Sequence, residues 1–333
     1  SLAGERNVVS GNGSGIAVHA NQNVVQGNYI GVDASGNNGL ANSDNGISLI
    51  GAENLIGGTT SGAGNVISGN GLFGMRMLGA NTTLNQVLGN FIGTNAPGTA
   101  AIGNADSGIL IDFGAHSNII GGPTAGSGNV ISGNLADGIR VAGLGVDSNS
   151  IQGNRIGTDV TGTQVLSNAT GISVQNASTV LIGGSESGAG NLISGNATNI
   201  NIVTDAVDNV IQGNFIGTDV TGTLPVTNGP STGTNDHGIR ISNRAGRTVI
   251  GGTEPGAGNL ISGHWNRGIF VWGGLGQNII QGNRVGTNAA GDAAVPNSHG
   301  IVVLISADNV IGGGEAGAGN LISGNLTAGI ELS

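Results

Sequence analysis

The chain has 333 residues, of which 68 are glycine, and hydrophobic residues make up 37% of it. Its formal net charge is −10 and it contains no lysine, so we predict neither nucleic acid nor an anionic membrane as partner, because both require clustered positive charge. It has no cysteine for thiol chemistry or disulfides, and no apolar run approaches the ~20 residues of a membrane span, so we predict no membrane insertion.

The whole chain is an alternating repeat. The phrase Gly-Ala-Gly-Asn-Leu-Ile-Ser-Gly-Asn occupies residues 188–196, and versions of it recur at 62–70, 126–134, 256–264 and 317–325. A second phrase, Asn-x-Val/Ile-x-Gly-Asn-x-Ile/Val-Gly, lies between these copies, and successive units are 28–39 residues long. A period of this length is typical of solenoids. We therefore predict one continuous repeat domain over residues 1–333, either a segment of a longer protein or a subunit that stacks on others.

Each repeat unit contains three short apolar pieces. Residues 138–141 are Gly-Ile-Arg-Val, and residues 149–151 and 154–156 both have the form Asn-x-Ile. Pieces this short, rich in Val and Ile and bounded by Gly and Asn, predict strands rather than helices. Three strands per unit, stacked unit on unit, predict an all-β solenoid of about ten full coils, in which each strand pairs in parallel with its equivalent one coil away.

Position within the repeat predicts which side chains face inward. The third residue of each Asn-x-Ile piece is aliphatic, as in Ile56, Ile92 and Ile156, and we predict that it fills the core. The asparagines mark corners, where Asn tolerates left-handed backbone and can stack on its neighbour one coil away. One predicted column is Asn28, Asn65, Asn90, Asn129, Asn154, Asn191, Asn214, Asn259, Asn283 and Asn320. A second is Asp33, Asn70, Asn95, Asn134, Asp159, Asn196, Asp219, His264, Asn288 and Asn325.

A third column follows the corner asparagines and is predicted to point outward although most of it is apolar. We call it the apolar column: Val8, Tyr29, Val66, Phe91, Val130, Arg155, Leu192, Phe215, Leu260, Arg284 and Leu321. Two interpretations are open. An uncovered stripe of this length would mark a protein contact, whereas regularly spaced loops such as 159–163 could lie across it.

These phrases resemble the right-handed parallel β-helix repeat of the pectate-lyase-like superfamily, through Asn-x-Ile-x-Gly-Asn with Gly-Ile openers. More narrowly, Ile-Gly-Gly-x-x-x-Gly-Ala-Gly-Asn-Leu-Ile-Ser-Gly-Asn resembles repeats in large secreted and surface proteins of bacteria. The resemblance covers nearly the whole chain and implies a single-stranded, right-handed parallel β-helix outside the cell or on its surface. The local signatures of the superfamily's polygalacturonases and alginate epimerases are not found in this sequence. We therefore assign no catalytic residue, no metal site and no cofactor.

Aligning the Gly-Ile strands brings polar and aromatic residues of three consecutive coils to one patch beside the longest loop. We call it the Trp–Arg patch: Asp236, His237, Arg240, Trp265, Arg267, Phe270, Trp272 and His299. Aromatic rings could stack on sugars there while Arg and His bind hydroxyls or a carboxylate. The alternatives are that the loop 219–237 covers the rings, or that His237 and His299 form a catalytic acid–base pair. The rest of this face carries no comparable cluster in the aligned sequence.

We therefore expect a non-catalytic extracellular structural or adhesion module that serves as a stalk, surface or filament subunit. The unpaired strand edges of a solenoid predict self-association, end to end or laterally. The alternative is a polysaccharide-active lyase or hydrolase, or a glycan-binding module, either of which would use the Trp–Arg patch.

Overall fold

A computed structural model describes residues 6–227 and 236–333, and every regular element within them is a β-strand. In chain order the strands are β1 (Val8–Val9), β2 (Ile16–Val18), β3 (Val24–Val25), β4 (Tyr29–Ile30), β5 (Ile47–Leu49), β6 (Leu55–Gly57), β7 (Val66–Ile67), β8 (Met75–Leu78), β9 (Gln86–Leu88), β10 (Phe91–Ile92), β11 (Ile109–Asp112), β12 (Ile119–Gly121), β13 (Val130–Ile131), β14 (Asp137–Ala142), β15 (Ser150–Gln152), β16 (Arg155–Ile156), β17 (Thr170–Gln175), β18 (Leu181–Gly183), β19 (Leu192–Ile193), β20 (Thr198–Val203), β21 (Val210–Gln212), β22 (Phe215–Ile216), β23 (His237–Ser242), β24 (Val249–Gly251), β25 (Leu260–Ile261), β26 (Arg267–Trp272), β27 (Ile279–Gln281), β28 (Arg284–Val285), β29 (His299–Leu304), β30 (Val310–Ile311), β31 (Leu321–Ile322) and β32 (Ala328–Leu332). The described part of the chain has no helix that could cross a membrane.

Every third strand belongs to the same sheet. Sheet A contains eleven strands from β1 to β31, sheet B eleven from β2 to β32, and sheet C ten from β3 to β30. Neighbouring strands within each sheet are parallel, as in β1 with β4, β2 with β5 and β3 with β6. Each coil is a crossover between adjacent parallel strands, and such connections are right-handed. The predicted β-helix of about ten coils is confirmed, and coils at ~4.8 Å give a rod of roughly 50 Å.

The interior of the coils is aliphatic. Ile56, Ile92 and Ile156 are fully buried, as predicted, and sheet B adds pairs of inward residues such as Ile139 and Val141. These side chains form one continuous cluster from Val18 to Val303. Because each buried Ile or Val contributes about 1.5–3 kcal/mol, this thin core is the main source of stability.

The glycine that opens most sheet B strands is required by the close stacking of coils. At Gly108, a Cβ would lie 2.7 Å from the carbonyl oxygen of Gly138 and 2.8 Å from Nδ2 of Asn134 in the next coil. Real Cβ contacts are not that short. Asn199 is the one non-glycine residue at this position, and its side chain enters a corner column instead.

The first predicted asparagine column is confirmed. The Nδ2 of each Asn donates to Oδ1 of the equivalent Asn one coil on, at 2.8–3.0 Å. Asn7 extends the ladder by bonding to Asn28 at 2.9 Å. A further ladder that the sequence did not predict runs at the corner before sheet C, through Asn23, Asn54, Asn85, Asn118 and Asn149.

Coils with and without a loop inserted directly after the sheet A strand alternate along the chain, and we call them long and short coils. The second predicted column is wrong in its long-coil members. Its short-coil members are present, but the residues bonded to them are Asn42, Asn104, Asn168, Asn199 and Asn297. The five predicted residues that do not join it are Asp33, Asn95, Asp159, Asp219 and Asn288. In the long coils, an inserted loop separates these five from the corner. They cap that loop instead.

Each of these five residues accepts hydrogen bonds from the loop that follows it. Asp159 accepts from the backbone nitrogens of Thr163 and Gln164, both at 3.1 Å, and from the hydroxyl of Thr161. Burial acts to raise the pKa of Asp159, but these hydrogen bonds outweigh it and lower the pKa below its usual value. The loops at 33–38, 95–100, 159–164, 219–224 and 288–293, which we call the long-coil loops, are therefore closed turns with defined shapes.

The long-coil loops cover the apolar column, which decides between its two interpretations. Val66, Leu192 and Leu260 are buried, whereas Val8 and Leu321 on the first and last coils are exposed. Successive loops also bond to each other across two coils. The amides of Ala96, Val160, Val220 and Ala289 donate to the carbonyls of Gly36, Gly98, Gly162 and Gly222 in the preceding loop. The loops thus form a second hydrogen-bonded layer along the rod.

Candidate functional site

The Trp–Arg patch lies on the outer face of sheet B, across β23, β26 and β29. His237, Arg267 and His299 pair in one row, and Arg240 pairs with Phe270 three residues further along the strands. Trp272 ends β26 beside Ser242, Asp236 directly precedes β23, and Trp265 lies two residues before β26. Parallel pairing thus brings the predicted residues to neighbouring positions.

A stack of cation and rings forms the centre of the patch. The guanidinium carbon of Arg267 lies 4.2 Å from the ring centroid of Phe270, and the ring of His237 lies 5.0 Å from the same centroid. Phe270 is buried beneath them. Burial lowers the pKa of Arg267, against an opposing effect of Glu331, but Arg267 stays protonated at any physiological pH. The stack therefore holds a fixed positive charge.

Two guanidinium groups of the patch keep a free donor. Within residues 6–227 and 236–333, Nε of Arg240 and Nε of Arg267 have no hydrogen-bond partner although both atoms are buried. Oδ1 of Asn201, which pairs in register with Arg240, is also unsatisfied in the described structure. Buried polar atoms are nearly always bonded, so such atoms need a specific explanation. Arg240 and Arg267 lie on neighbouring strands, three register positions apart, and guanidinium groups are of the type that binds carboxylates and other anions.

The two tryptophans lie at the rim and stay accessible. Trp265 is 55% exposed and Trp272 is 43% exposed. The indole Nε1 of Trp265 donates to the hydroxyl of Thr227 at 3.3 Å, and its backbone nitrogen donates to Asp236 at 2.6 Å. The carboxylate of Asp236 therefore stabilises the turn that precedes β26. The loop suggested as a cover includes residues 228–235, which lie outside the described residues.

The two histidines of the patch do not meet. The strand that carries Arg267 separates His237 from His299, so their backbones are two strand spacings, about 9.6 Å, apart. Nε2 of His299 faces the carboxylate of Glu331 at 3.7 Å, and its Nδ1 faces the hydroxyl of Ser298 at 3.1 Å. His299 is thus engaged with Glu331 and Ser298, and the acid–base pair stays a prediction.

Sequence reasoning missed a second cluster on the same face of sheet B, across β8, β11 and β14. Arg76 bonds to the carboxylate of Asp112 one coil on, at 2.7 Å. Arg140 bonds to Asp137 at 2.6 Å and lies 3.5 Å from Asp106 in the preceding coil. Asp112 and Asp137 are buried. This stretch of the sheet, from which the sequence predicted no cluster, carries a charged network.

Beside this network stands Phe113, a residue with unfavourable backbone and little burial. It has φ of 52° and is 70% exposed. A left-handed conformation costs a bulky residue about 1–2 kcal/mol. The guanidinium of Arg76 lies 5.5 Å from its ring, but a cation–π contact at an exposed site returns only about 0.5–1 kcal/mol. The other residues of this corner, from the equivalent turns, are Gly79, Gly143, Asn176, Thr204, Asn243, Gly273 and Ile305, all with positive φ.

Neither patch resembles a metal centre. Among the residues that the structure describes, no three His, Asp or Glu side chains come together in a group that could hold a metal ion.

Comparisons with known proteins assign no family to the chain, so its class is defined by its own strand pairing. No family model and no curated protein matches the sequence. Among solved structures, a TibC-catalyzed hyper-glycosylated TibA fragment matches with 11% identity over 99% of this chain and 100% of that chain, at a TM-score of 0.17. A TM-score this low supports no argument. The strand pairing itself defines the class: a right-handed parallel β-helix with three sheets.

Proposed function

We propose that the chain is a non-catalytic extracellular module, structural or adhesive, in which the β-helix serves as a stiff spacer. The supporting observation is the asparagine ladder that runs without a break from Asn7 to Asn320. Its hydrogen bonds, like those of the three sheets, join each coil to the next along the rod. Bending or stretching the rod must therefore distort many bonds at once. The stacked long-coil loops add a further row of bonds in the same direction.

The extracellular location rests on the resemblance of the Ile-Gly-Gly and Gly-Ala-Gly-Asn phrases to repeats of secreted bacterial surface proteins. The same motifs support placing the chain within the pectate-lyase-like superfamily. Self-association, end to end or lateral, stays a prediction that microscopy can test.

Negative-stain microscopy and product assays of the full chain test this proposal together. We expect straight rods, single or joined, and no release of reducing or unsaturated ends from polygalacturonate or alginate. Release of such ends, abolished by His237→Ala or Arg240→Ala, would instead establish a lyase or hydrolase.

A second candidate function is binding of an acidic glycan at the Trp–Arg patch. The specific observation is the pair of buried, unsatisfied guanidinium nitrogens on Arg240 and Arg267, on the sheet face that also carries the exposed ring of Trp272. A uronate polymer could place a carboxylate against a guanidinium group of the patch while another of its rings stacks on the indole.

Affinity electrophoresis in gels containing polygalacturonate tests this candidate, with neutral dextran gels as the reference. We expect retardation only in the acidic gel, and loss of it in Arg240→Gln and in Trp272→Ala. Equal mobility in both gels would reject glycan binding by charge at this patch.

A further inference from the structure

A groove crosses the outer face of sheet B over β11, β14 and β17, apart from the Trp–Arg patch. Its volume is roughly 600 Å³. Leu110 and Ala142 form an apolar floor, and the exposed side chains of Phe113 and Leu144 form walls. We call it the Phe113 groove.

The charged groups of the Phe113 groove are already paired with each other. Asp112, which lines it, is bonded to Arg76, and Arg140, which also lines it, is bonded to Asp137. With Asp106 the network has three carboxylates against two guanidinium groups, a net charge of −1. An anionic ligand would meet this excess negative charge. A neutral ligand rich in hydroxyl groups could bond to the remaining lone pairs and N–H groups without breaking the ion pairs.

Backbone groups are not available to such a ligand. β14 is paired with β11 on one side and with β17 on the other, so the sheet offers no free edge to an extended peptide. Recognition must therefore come from side chains. The groove offers a carboxylate on Asp112, a guanidinium group on Arg140, and amides on Gln175 and Asn176. Each of these planar groups can bond to neighbouring hydroxyls of a ligand.

Phe113 gives the independent indication of a ligand. The free-energy cost of its left-handed backbone is larger than the stabilisation from its cation–π contact with Arg76, and most of the ring is in solvent. The flanking coils place Gly79 and Gly143 at this turn, residues to which positive φ costs little. Thr204 and Ile305 have the same conformation at this turn, so positive φ alone does not single out Phe113. What sets Phe113 apart is an exposed aromatic ring at the wall of a groove with an apolar floor, and such a ring can stack on the apolar face of a sugar.

We propose that the Phe113 groove binds a short neutral oligosaccharide, with one ring stacked on Phe113 and hydroxyls bonded to Asp112, Arg140 and Gln175. This site stands independently of the proposed spacer function and of acidic-glycan binding. Four strand steps along sheet B separate β14 from β26, about 19 Å.

Saturation-transfer NMR of the full chain with short gluco-, manno-, galacto- and xylo-oligosaccharides tests the proposal. We expect at least one of these neutral sugars to bind, and Phe113→Asn to weaken its affinity about tenfold. Asn occupies the equivalent turn at Asn176 and Asn243, so this variant should fold with equal or higher stability. Phe113→Tyr, which keeps the ring, should retain binding.

Ile305→Asn is the matched control. Ile305 occupies the same turn near the far end of sheet B, with φ of 52° and 76% exposure. Its replacement should leave sugar binding unchanged. The proposal is overturned if no neutral sugar binds, if only uronate-containing sugars bind, or if Phe113→Asn and Ile305→Asn bind alike.

Discussion

At the scale of single residues, a corner asparagine in the middle of the ladder, such as Asn129, uses all of its hydrogen-bonding capacity. Nδ2 of Asn129 donates to Oδ1 of Asn154 and to the carbonyl of Val87, both at 2.8 Å. Its Oδ1 accepts from the backbone and side-chain nitrogens of Asn90. A buried amide with four satisfied bonds is favourable, but its removal leaves unsatisfied groups on both neighbouring coils.

Asn129→Ala should therefore destabilise the fold strongly. Unsatisfied groups on Asn90 and Val87 cost about 1–3 kcal/mol each, so we expect a total loss of about 2–6 kcal/mol in the free energy of unfolding. Urea denaturation followed by circular dichroism measures it. Asn37→Ala, at an exposed loop position, is the control and should change stability by less than about 0.5 kcal/mol. Equal losses in the two variants would show that the ladder contributes little.

His264 is the one titratable member of a corner column. Its Nδ1 donates to Oδ1 of Asn297 at 2.8 Å, and its Nε2 accepts from Nδ2 of Asn199 at 3.0 Å. Burial lowers the pKa of His264 from the ordinary value of 6.5, although Asp236 and the bond to Asn297 act in the opposite direction. A proton on Nε2 would also face the amide hydrogens of Asn199.

This histidine should make the fold sensitive to acid. Well above pH 6.5 it is neutral in both states, and at pH 6.5 the histidine of the unfolded chain is half protonated. Below that, the unfolded chain takes up a proton that the native protein does not, so stability falls by up to about 1.4 kcal/mol per pH unit until the lower native pKa is reached. His264→Gln keeps an acceptor near Asn199 but cannot titrate, so its stability should fall less steeply. Parallel pH slopes of the two proteins in urea denaturation between about pH 8 and pH 5 would contradict this role.

At the scale of elements, sequence pattern predicted the strands well because their period is strict. Ile56, Ile92 and Ile156 occupy the same place in their repeats, and burial follows that place. The pattern failed where the repeat is interrupted. Asp159 has the same spacing from its strand as Asn196, yet a loop comes between Asp159 and the corner, and Asn168 takes its place. Counting residues cannot show where an insertion leaves and rejoins the coil.

The stacked long-coil loops give a matched test of packing. Gly162 and Gly145 both have φ of 75°, but a Cβ at Gly162 would lie 2.7 Å from Cδ2 of Leu192, whereas at Gly145 nothing is nearer than 3.7 Å. Gly145→Ala should cost about 1–2 kcal/mol from backbone conformation alone. Gly162→Ala should cost about 1–3 kcal/mol more, because the new Cβ would also lie 3.0 Å from Cβ of Val220, which cannot turn aside, and Leu192 is buried. Thermal denaturation compares them, and equal costs would mean that the loop can move away freely.

At the scale of the whole molecule, the sequence predicted which residues of sheet B would be neighbours, but not which neighbours would bond. Alignment of the repeats placed Arg240 beside Phe270 and His237 beside Arg267, and the strand pairing between β23 and β26 has the same register. It did not reveal the bond from Arg76 to Asp112, because these residues lie at different positions of their strands. The positive φ and the exposure of Phe113 likewise become visible only in coordinates.

The spacer account is tested most directly by pulling on the full chain, held at its two ends, in a single-molecule force experiment. Because each coil contacts only its neighbours, we predict a series of force peaks as coils of 28–39 residues unfold in turn. Each step should release about 100 Å of chain, and Asn129→Ala should lower the force of some peaks. Smooth extension without peaks, in the native protein as in the variant, would contradict the claim that the ladders make this β-helix a stiff spacer.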